Sequence, residues 1–381
     1  MESLRTTGKA TPADVRAVNR RLLLQHISEG RGTVSRADLV RLARLNTATV
    51  SGLVAELLER GLVREVGVGP SVGGKPPILL DLDERLYAVL GVQLIRDGFR
   101  IAALTLRGRI IEQHDELGEP EQMIEALVPA VQKMADNLGR SVLAVGVAVP
   151  GVVDHQGLIA RSVLLHRSDF DLGGWLGERL GYPIHLINDS DACALAEVAL
   201  SDDPAPTLMA LYVGDGVGAG LILSGALFQG ENFGAGEVGH LNLRTHELRC
   251  ECGRTGCLEA AARLSVLTGQ PQALQLTPRG EQPEGSLDAE AAQRAAVNIA
   301  ALLELVYELL DVRHTVICGP VCALGPRLLE NIRDALADNE PYLGGHITVE
   351  YSRLGWNGTL LGAAASAAHK ELGLLWSMID A

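Results

Sequence analysis

The sequence predicts an α/β protein in which a winged helix-turn-helix head precedes a body of two α/β lobes. Residues 1–78 carry 12 Lys and Arg against 7 Asp and Glu, whereas the rest of the 381-residue chain carries 21 against 40. Helical spacing dominates the first part, and clusters of strands alternate twice with helices in the rest. A basic head on an acidic body favours a polyanionic partner for the head alone.

Three short helices and a hairpin are predicted in the head. Residues 14–29 have apolar side chains at helical spacing, Ser35 begins a capping-box pattern, and Asn46 can cap a third helix. Strands are predicted at residues 63–66 and 78–82, on either side of a glycine-rich loop. This order is typical of a winged helix-turn-helix, whose third helix enters the major groove by its first turn.

Candidate DNA contacts lie at the start of the third helix, beside it and on the wing. The short side chains that can reach base edges are those of Thr47, Ala48, Thr49 and Ser51. The arginines expected to contact phosphate are Arg36, Arg41 and Arg44. Lys75, in the predicted wing tip, is expected at the minor groove. The alternative is a three-helix module that binds another protein.

The body contains apolar runs typical of strands, separated by amphipathic segments typical of helices. Strands are predicted at residues 87–95, 99–106, 109–113, 142–149, 184–187, 208–213, 217–223, 315–318 and 346–351. Helices are predicted at residues 121–138, 191–200, 288–310, 326–336 and 359–372. We divide the chain into a head (residues 1–82), a first lobe (residues 83–190 plus 362–381) and a second lobe (residues 191–361).

One imidazole and three thiols fall close together in the second lobe and predict a zinc site. The candidate ligands are His240, Cys250, Cys252 and Cys257. This ligand set is typical of closed tetrahedral zinc, which is structural because no position remains for water. Disulfides are the alternative, but three clustered thiols cannot all pair with one another.

Two carboxylates flank the predicted metal ligands, and an amide and a carboxylate follow a strand of the body. Glu237 and Glu259 lie beside the cysteine stretch, and Asn188 and Asp189 end the strand at residues 184–187. Carboxylates and an imidazole suit hydrogen bonds to hydroxyl groups, which favours a polyol or sugar ligand. The alternatives are solvated glutamates and an ordinary helix cap at Asn188 and Asp189.

The composition gives no sign of a membrane span or of secretion. No run of eighteen apolar residues occurs, and residues 1–12 lack the apolar core of a signal peptide. We therefore expect a cytoplasmic protein with reduced cysteines. Cys193, Cys318 and Cys322 lie in apolar contexts and are expected in the core.

Together these motifs resemble the ROK family, named for repressors, open reading frames and kinases. The resemblance is carried by residues 234–240, 250–259, 188–189, 150–151 and the glycine loop 214–220. It implies an actin-like, ribonuclease H-like body. It also implies a sugar pocket formed by Asn188, Asp189, Glu237, His240 and Glu259, with one nitrogen of His240 on zinc and the other facing the sugar. The head is similar to that of the family's transcriptional regulators.

The chain departs from the family's sugar kinases at both phosphate loops. Those kinases carry Asp-x-Gly-x-Thr in the first hairpin, where this chain has residues 91–96 without the acid, the glycine turn or the hydroxyl. The second loop, usually Gly-Thr-Gly, has Asp215 at its centre, and a carboxylate repels a phosphate. Two further departures, Asp191 in place of a second Asn and a charged loop at residues 164–175, leave the sugar unidentified.

These observations favour a sugar-responsive DNA-binding regulator, a repressor that binds operator DNA as a homodimer or higher oligomer. The alternatives are an ATP-dependent sugar kinase with a DNA-binding head and a regulator that responds to a protein partner. The altered phosphate loops argue against the kinase, because phosphoryl transfer depends on positioning and charge stabilisation at those loops.

Overall fold

The computed structural model describes residues 11–70, 76–118, 120–154, 156–201, 205–243, 245–270, 287–337 and 344–376. The elements of the head are α1 (Pro12–Gly30), β1 (Val34–Ser35), α2 (Arg36–Ala43), α3 (Thr47–Glu59), β2 (Val63–Val68) and β3 (Ile78–Leu82). The strands form an antiparallel sheet in the order β1-β3-β2. The three predicted helices and the predicted hairpin are confirmed, and β1 is an additional edge strand. The predicted wing-tip residue Lys75 lies outside the described residues.

Side-chain caps fix where α2 and α3 begin. The Ser35 hydroxyl and the Asp38 carboxylate each accept from the other residue's backbone N–H, as a capping box requires. The Asn46 side chain accepts from the N–H of Thr49 at 2.8 Å. Between these helices the backbone of Arg44 adopts a left-handed conformation with φ of 54°. The turn between α2 and α3 is therefore set by local hydrogen bonds of capping residues that the sequence pattern predicted.

The first lobe is built on a mixed five-stranded sheet with the order β11-β7-β4-β5-β6. Its elements are β4 (Tyr87–Ile95), β5 (Gly98–Leu104), β6 (Ile110–Leu117), α4 (Pro120–Asn137), β7 (Ser141–Val149), α5 (Leu172–Leu180) and β11 (Ile184–Asn188). A small antiparallel sheet in the order β10-β9-β8 interrupts it, from β8 (Val152–Val153), β9 (Leu158–Ser162) and β10 (Arg167–Asp171). The predicted loop at residues 164–175 was wrong, since it contains β10 and the start of α5.

The second lobe contains a second five-stranded sheet, in the order β14-β13-β12-β15-β16. Its elements are α6 (Asp189–Ala199), β12 (Leu208–Val213), β13 (Val217–Leu223), β14 (Ala226–Leu227), α7 (Leu258–Ala262), α8 (Leu264–Thr268), α9 (Ala289–Leu310), β15 (His314–Cys318), α10 (Arg327–Ala337) and β16 (Thr348–Tyr351). The last helix, α11 (Gly358–Leu372), returns to the first lobe and packs on its sheet. The predicted start of α6 at residue 191 was two residues late. Within the described residues, no helix is long and apolar enough to cross a membrane.

Two helices, α6 and α11, pack between the sheets, and glycines allow their close approach. A Cβ atom on Gly146 of β7 would lie 1.9 Å from the carbonyl oxygen of Ala363. A Cβ atom on Gly362 of α11 would lie 1.8 Å from the carbonyl oxygen of Ala192 in α6. Since real Cβ atoms do not approach oxygen so closely, only glycine fits at these two positions. The contacts hold the N-terminus of α6 at the boundary between the lobes.

The head shares a hydrophobic core with the first lobe. Buried side chains of α1, α3 and β3 pack in one cluster with residues of β4, β5 and α11 and with Trp376, which is 3% exposed. The side-chain amide of Gln25 donates to the carbonyl oxygen of Leu375 at 3.2 Å and accepts from its N–H at 2.8 Å. Arg21 donates to the carbonyl oxygen of Lys370 at 2.8 Å. The head is therefore packed on the first lobe rather than tethered to it.

Arg107, in the turn between β5 and β6, joins the head to the first lobe by polar contacts. Its guanidinium donates to the carbonyl oxygen of Ser28 near the end of α1 at 2.8 Å. It also pairs with Asp81 of β3 and lies 3.6 Å from a carboxylate oxygen of Glu84. The side chain is 17% exposed, so these contacts are shielded from solvent.

Candidate functional site

A cavity of about 690 Å³ lies between the two lobes. Its walls come from the end of β11 and the start of α6, from residues 215–218 of the β12–β13 turn, and from the stretch that carries the cysteines. All five residues predicted to contact a sugar line it: Asn188, Asp189, Glu237, His240 and Glu259. Elements that are distant in the sequence thus bring these side chains to one concave surface.

Asn188 caps α6 and has little capacity left for a ligand. Its side-chain oxygen accepts from the N–H groups of Ser190 and Asp191, and its amide donates to the carbonyl oxygen of Gly151 at 2.9 Å. The cap that the sequence offered as the alternative is therefore present. Because Asn188 is tied to both β11 and the turn after β7, its main effect is to fix the position of the adjacent Asp189.

Asp189 presents a carboxyl group whose charge is poorly solvated. One of its oxygens accepts from the N–H of Ser190 at 2.8 Å. The pKa of Asp189 is raised to about 7: burial is the largest cause, the Ser190 hydrogen bond opposes it, and the nearby charge of Glu237 adds to the rise. The same cause, burial, raises the pKa of Asp191 to about 7, although Gln229 donates to this carboxylate at 3.0 Å. Near neutral pH the carboxyl groups of Asp189 and Asp191 are therefore partly protonated, and they can both donate and accept hydrogen bonds.

Glu237 faces Asp189 across the cavity and precedes a 3-10 turn over Val238–His240. The residue is solvent-exposed, but the walls of the cavity crowd its carboxyl group, and this desolvation raises its pKa. The charge of His240 opposes the rise, the charge of Glu259 adds to it, and the charge of Arg161 opposes it. The carboxyl group of Glu237 is reachable from the cavity and has few water molecules around it, so it is suited to accept a hydrogen bond from a ligand hydroxyl.

Glu259 connects the cavity to the cysteine stretch. One carboxylate oxygen accepts from the N–H of Val217 at 3.2 Å, and the other lies 3.4 Å from the sulfur of Cys250. Glu259 lies in the first turn of α7, which begins immediately after Cys257. The position of this carboxylate is therefore coupled to the geometry of the cysteines.

His240, Cys250, Cys252 and Cys257 form a compact cluster of donor atoms, all within 4.8 Å of one another. The sulfur of Cys250 lies 3.8 Å from Nδ1 of His240, and the sulfurs of Cys252 and Cys257 are 3.7 Å apart. A tetrahedral zinc with bonds of about 2.3 Å separates its ligand atoms by about 3.8 Å. The four residues therefore fit a closed metal site, and with Nδ1 in the cluster, Nε2 of His240 is the nitrogen left for the cavity.

Tight turns bring the three thiols together. Gly253 and Gly256 have φ of 90° and 77°, which other residues rarely adopt. The N–H of Cys250 donates to the carbonyl oxygen of Arg254 at 2.8 Å and closes the first turn. The remaining cysteines behave as predicted: Cys193 and Cys318 are buried and Cys322 is partly buried.

Of the segment that corresponds to the first phosphate loop of the kinases, Leu94, Ile95 and Arg96 line the cavity, but Gln93 does not. Gln93, which stands where their metal-binding acid would be, is fully buried and accepts from Arg100 at 3.3 Å. Arg100 in turn donates to the carbonyl oxygen of Trp356 and to the side chain of Asn357, both at 2.9 Å. The position is thus occupied by a buried polar network.

Sequence reasoning missed several charged residues that line the cavity. They are Arg96, Arg161, Glu251 and Arg254. None is a fixed position of a motif: Arg96 follows β4, Arg161 lies in β9, and Glu251 and Arg254 lie between the cysteines. Asp215 was singled out as a departure from the kinases, and it also lines the cavity; burial raises its pKa to about 6 against the opposing charge of Arg96.

At the predicted DNA surface, the first turn of α3 is accessible. Thr47, Ala48 and Ser51 are exposed, and Thr49 is half-buried. Arg44 is exposed, whereas Arg36 is half-buried and pairs with Glu65 of β2 at 3.0 Å. Arg36 must leave this partner before it can reach a phosphate.

The structure thus joins a small helical head with a three-stranded sheet to a two-lobed α/β body, in which a metal-type cluster lies beside an interlobe cavity. The model of the ROK family matches residues 89–370. The chain therefore belongs to the ROK family, as its motifs predicted, and the predicted α/β body is confirmed.

Named repressors are among the similar proteins. A xylose repressor of Caldicellulosiruptor bescii is 31% identical over 254 residues, which are 64% of this chain and 63% of that protein. The alignment thus spans less than two thirds of that relative. A xylose repressor of Bacillus spizizenii is 25% identical over 368 residues, which are 92% of this chain and 95% of that protein.

Solved structures show the same fold. A ROK family transcriptional regulator, a homologue of the E. coli MLC protein, superposes with a TM-score of 0.77 at 22% identity, covering 95% of this chain and 98% of that one. A ROK glucokinase from Streptomyces griseus, bound to glucose and AMPPNP, gives a TM-score of 0.63 at 23% identity and covers 74% of this chain and 99% of the kinase. The regulator covers nearly the whole chain, whereas the kinase leaves a quarter of it unmatched.

Proposed function

We propose that this chain is a cytoplasmic transcriptional repressor whose affinity for operator DNA changes when a monosaccharide or sugar derivative binds between its lobes. The observation that carries the proposal is the packing of a head with an accessible α3 onto a body whose cavity is lined by carboxylates and an imidazole. The similarity to a xylose repressor over 92% of the chain supports it.

In this proposal residues 1–82 form the DNA-binding domain. Thr47, Ala48, Thr49 and Ser51 read base edges in the major groove, and Arg44 contacts phosphate. Arg36 exchanges Glu65 for phosphate, and Lys75 contacts the minor groove. One recognition helix per chain requires a two-fold partner to read a palindromic operator, so the protein acts as a homodimer or a higher oligomer.

The cluster of His240, Cys250, Cys252 and Cys257 binds one zinc ion. When bound, zinc supplies a rigid tetrahedral junction and no catalysis, because protein atoms take all four positions. The chain's own residues then present the ligand groups. Nε2 of His240 and the carboxylate of Glu259 face the cavity from opposite ends of the metal-binding stretch.

A sugar in the cavity is held by hydroxyl hydrogen bonds to both lobes. Glu237, His240 and Glu259 contact it from the second lobe. Asp189 contacts it from the lobe boundary, and Asn188 holds Asp189 in place with its remaining N–H available to the ligand. Xylose is named in the two relatives described above, and the sugar that this cavity binds is to be found by titration.

A sugar kinase is the competing function, and the likeness to a glucokinase fold favours it. The buried Gln93–Arg100 network and the carboxylate of Asp215 argue against it, since Gln93 cannot reach a ligand in the cavity and the carboxylate would repel the phosphates. Sugar-dependent release of ADP at more than one per minute would falsify the non-enzymatic proposal.

The proposal is tested by fluorescence anisotropy with operator DNA selected from random sequence by the full-length protein. Operator is titrated with and without each member of a panel of pentoses, hexoses, aminosugars and their phosphates. Glu237→Gln is expected to weaken the sugar response while leaving sugar-free DNA affinity within about twofold, because Glu237 is remote from the head. The matched control is Glu231→Gln, at an exposed glutamate that does not line the cavity.

If Glu237→Gln responds like the wild type at every sugar concentration, the pocket assignment is wrong. If no sugar alters DNA affinity but a cellular protein does, the effector is a protein partner. Head function is tested by point substitution at Arg44, since removal of residues 1–82 would expose the apolar surface that the head shares with the first lobe.

A further inference from the structure

One ion pair crosses the mouth of the cavity from lobe to lobe. Arg96, at the end of the β4–β5 hairpin in the first lobe, donates from its guanidinium to a carboxylate oxygen of Glu251 at 2.8 Å. The two side chains are 28% and 40% exposed, and both residues line the cavity. The pair therefore joins the sheet of the first lobe directly to the cysteine stretch of the second.

A second arginine, from the same lobe as Glu251, fixes the position of the Glu251 side chain. Its other carboxylate oxygen accepts from Arg263, which follows α7. Its position in the chain lies between Cys250 and Cys252, two residues of the metal-type cluster. With one oxygen on Arg263 and the backbone anchored on both sides, Glu251 presents its second oxygen to Arg96 with little freedom to move.

Arg96 faces acidic groups of the second lobe on more than one side. Burial opposes its charge, but the hydrogen bond and the charge of Glu251 outweigh burial and raise its pKa, with Asp215 and Asp97 contributing in the same direction. Asp215 lies in the turn between β12 and β13, opposite the hairpin that carries Arg96. Two loops that would flank a nucleotide in a kinase thus meet here through charges of opposite sign.

We propose that Arg96 and Glu251 form a latch that holds the two lobes in the closed arrangement and sets the balance between closed and open clefts before any ligand binds. The proposal rests on the function proposed above in one respect: if a sugar binds between the lobes, a latch that favours closure lowers the free-energy cost of enclosing that sugar. Opening the cleft breaks this pair, whereas the Glu251–Arg263 contact stays within the second lobe and is retained.

The expected strength follows from exposure. Double-mutant measurements place partly exposed ion pairs at a few tenths to about 1 kcal/mol, so removal of the latch should change the closed-to-open ratio about two- to fivefold. Added salt should weaken the wild-type latch and leave a variant without it almost unaffected.

The experiment is single-molecule energy transfer between the lobes of the full-length protein, without ligand. Dyes are attached through unnatural amino acids at Lys133 of α4 and Glu330 of α10, both exposed, so that the cysteines are untouched. Arg96→Ala is compared with the wild type and with Arg109→Ala. Arg109 belongs to the same lobe and pairs with Glu84 at 3.2 Å, so its loss removes an ion pair without crossing the cleft.

Arg96→Ala is expected to shift the population about two- to fivefold toward low transfer efficiency, and Arg109→Ala to leave it unchanged. Arg263→Ala should give a smaller shift, because Glu251 loses its brace without any change to a cysteine. Unchanged efficiency in Arg96→Ala, or an equal change in Arg109→Ala, would overturn the latch. A wild type that never responds to sugars, with the Arg96→Ala shift intact, would instead refute the proposed function and leave the latch standing.

Discussion

Arg107→Ala should weaken the docking of the head on the first lobe. The substitution removes the hydrogen bond to Ser28 at 2.8 Å and the pairing with Asp81, and it leaves the half-buried carboxylates of Asp81 and Glu84 facing each other. A hydrogen bond that involves a charged group contributes about 1.5–3 kcal/mol, and an exposed ion pair contributes less than about 1 kcal/mol. Because Arg107 is 17% exposed, we expect a loss of about 2–3 kcal/mol in the stability of the docked head.

Trp376 provides a natural probe of this docking. It is 3% exposed, belongs to the core shared by head and first lobe, and lies beside Gly108 in the turn that carries Arg107. Urea titration is followed by tryptophan fluorescence after Trp175 and Trp356 are replaced with Phe. Undocking of the head should then appear as the first transition, and Arg107→Ala should lower its midpoint.

Arg109→Ala is the matched control, since Arg109 lies two residues away in the same turn but is 64% exposed. We expect its effect to stay below about 1 kcal/mol. Equal losses from the two substitutions, within about 0.5 kcal/mol, would refute the reasoning, because burial would then not distinguish the two arginines. A single transition that Arg107→Ala does not move would also contradict a docked head.

Two further predictions concern the body. Asp189→Asn should stabilise the protein by about 1–4 kcal/mol at pH 8 and little at pH 4. The folded-state pKa of Asp189 is raised to about 7 from 3.8, so the contribution of the Asp189 carboxyl group to stability falls as the pH rises through that window. Thermal unfolding of both proteins at the two pH values checks this prediction. Cys257→Ala should abolish binding of about one zinc per chain and lower the melting temperature; metal analysis that still finds full occupancy would contradict the assigned ligand set.

The elements were predictable where local chemistry decides them. The caps of α2 and α3, the apolar runs of β4 and β7 and the hairpin of β12 and β13 each follow from residues close in sequence. The spacing of His240 and the three cysteines predicted the metal-type cluster for the same reason. Segments without strong periodicity were missed: β10 consists of Arg167–Asp171, five mostly polar residues that pair only because β9 lies beside them.

The roles of single charged side chains depended on contacts that no local pattern specifies. Arg36 was expected to contact phosphate, but Glu65, distant in the chain, is within its reach. Arg96 belongs to no motif, and its role follows only from the position of Glu251 on the opposite lobe. Such pairs form between surfaces whose approach is set by the packing of α6 against α11, and sequence spacing contains no information about that approach.

The docking of the head constrains how a sugar can alter DNA binding. Since the head and the first lobe share one core, closure of the cleft moves the second lobe relative to both together. Closure can therefore change the separation of two heads in a dimer only if the dimer contact involves the second lobe. Helix α9 of that lobe exposes Val297, Leu305 and Leu309 at 46%, 40% and 71%, on one side of the helix. We expect hydrogen exchange to show dimer protection on α9, and protection confined to the first lobe would rule out coupling by closure because the heads would then keep a fixed separation whatever the cleft does.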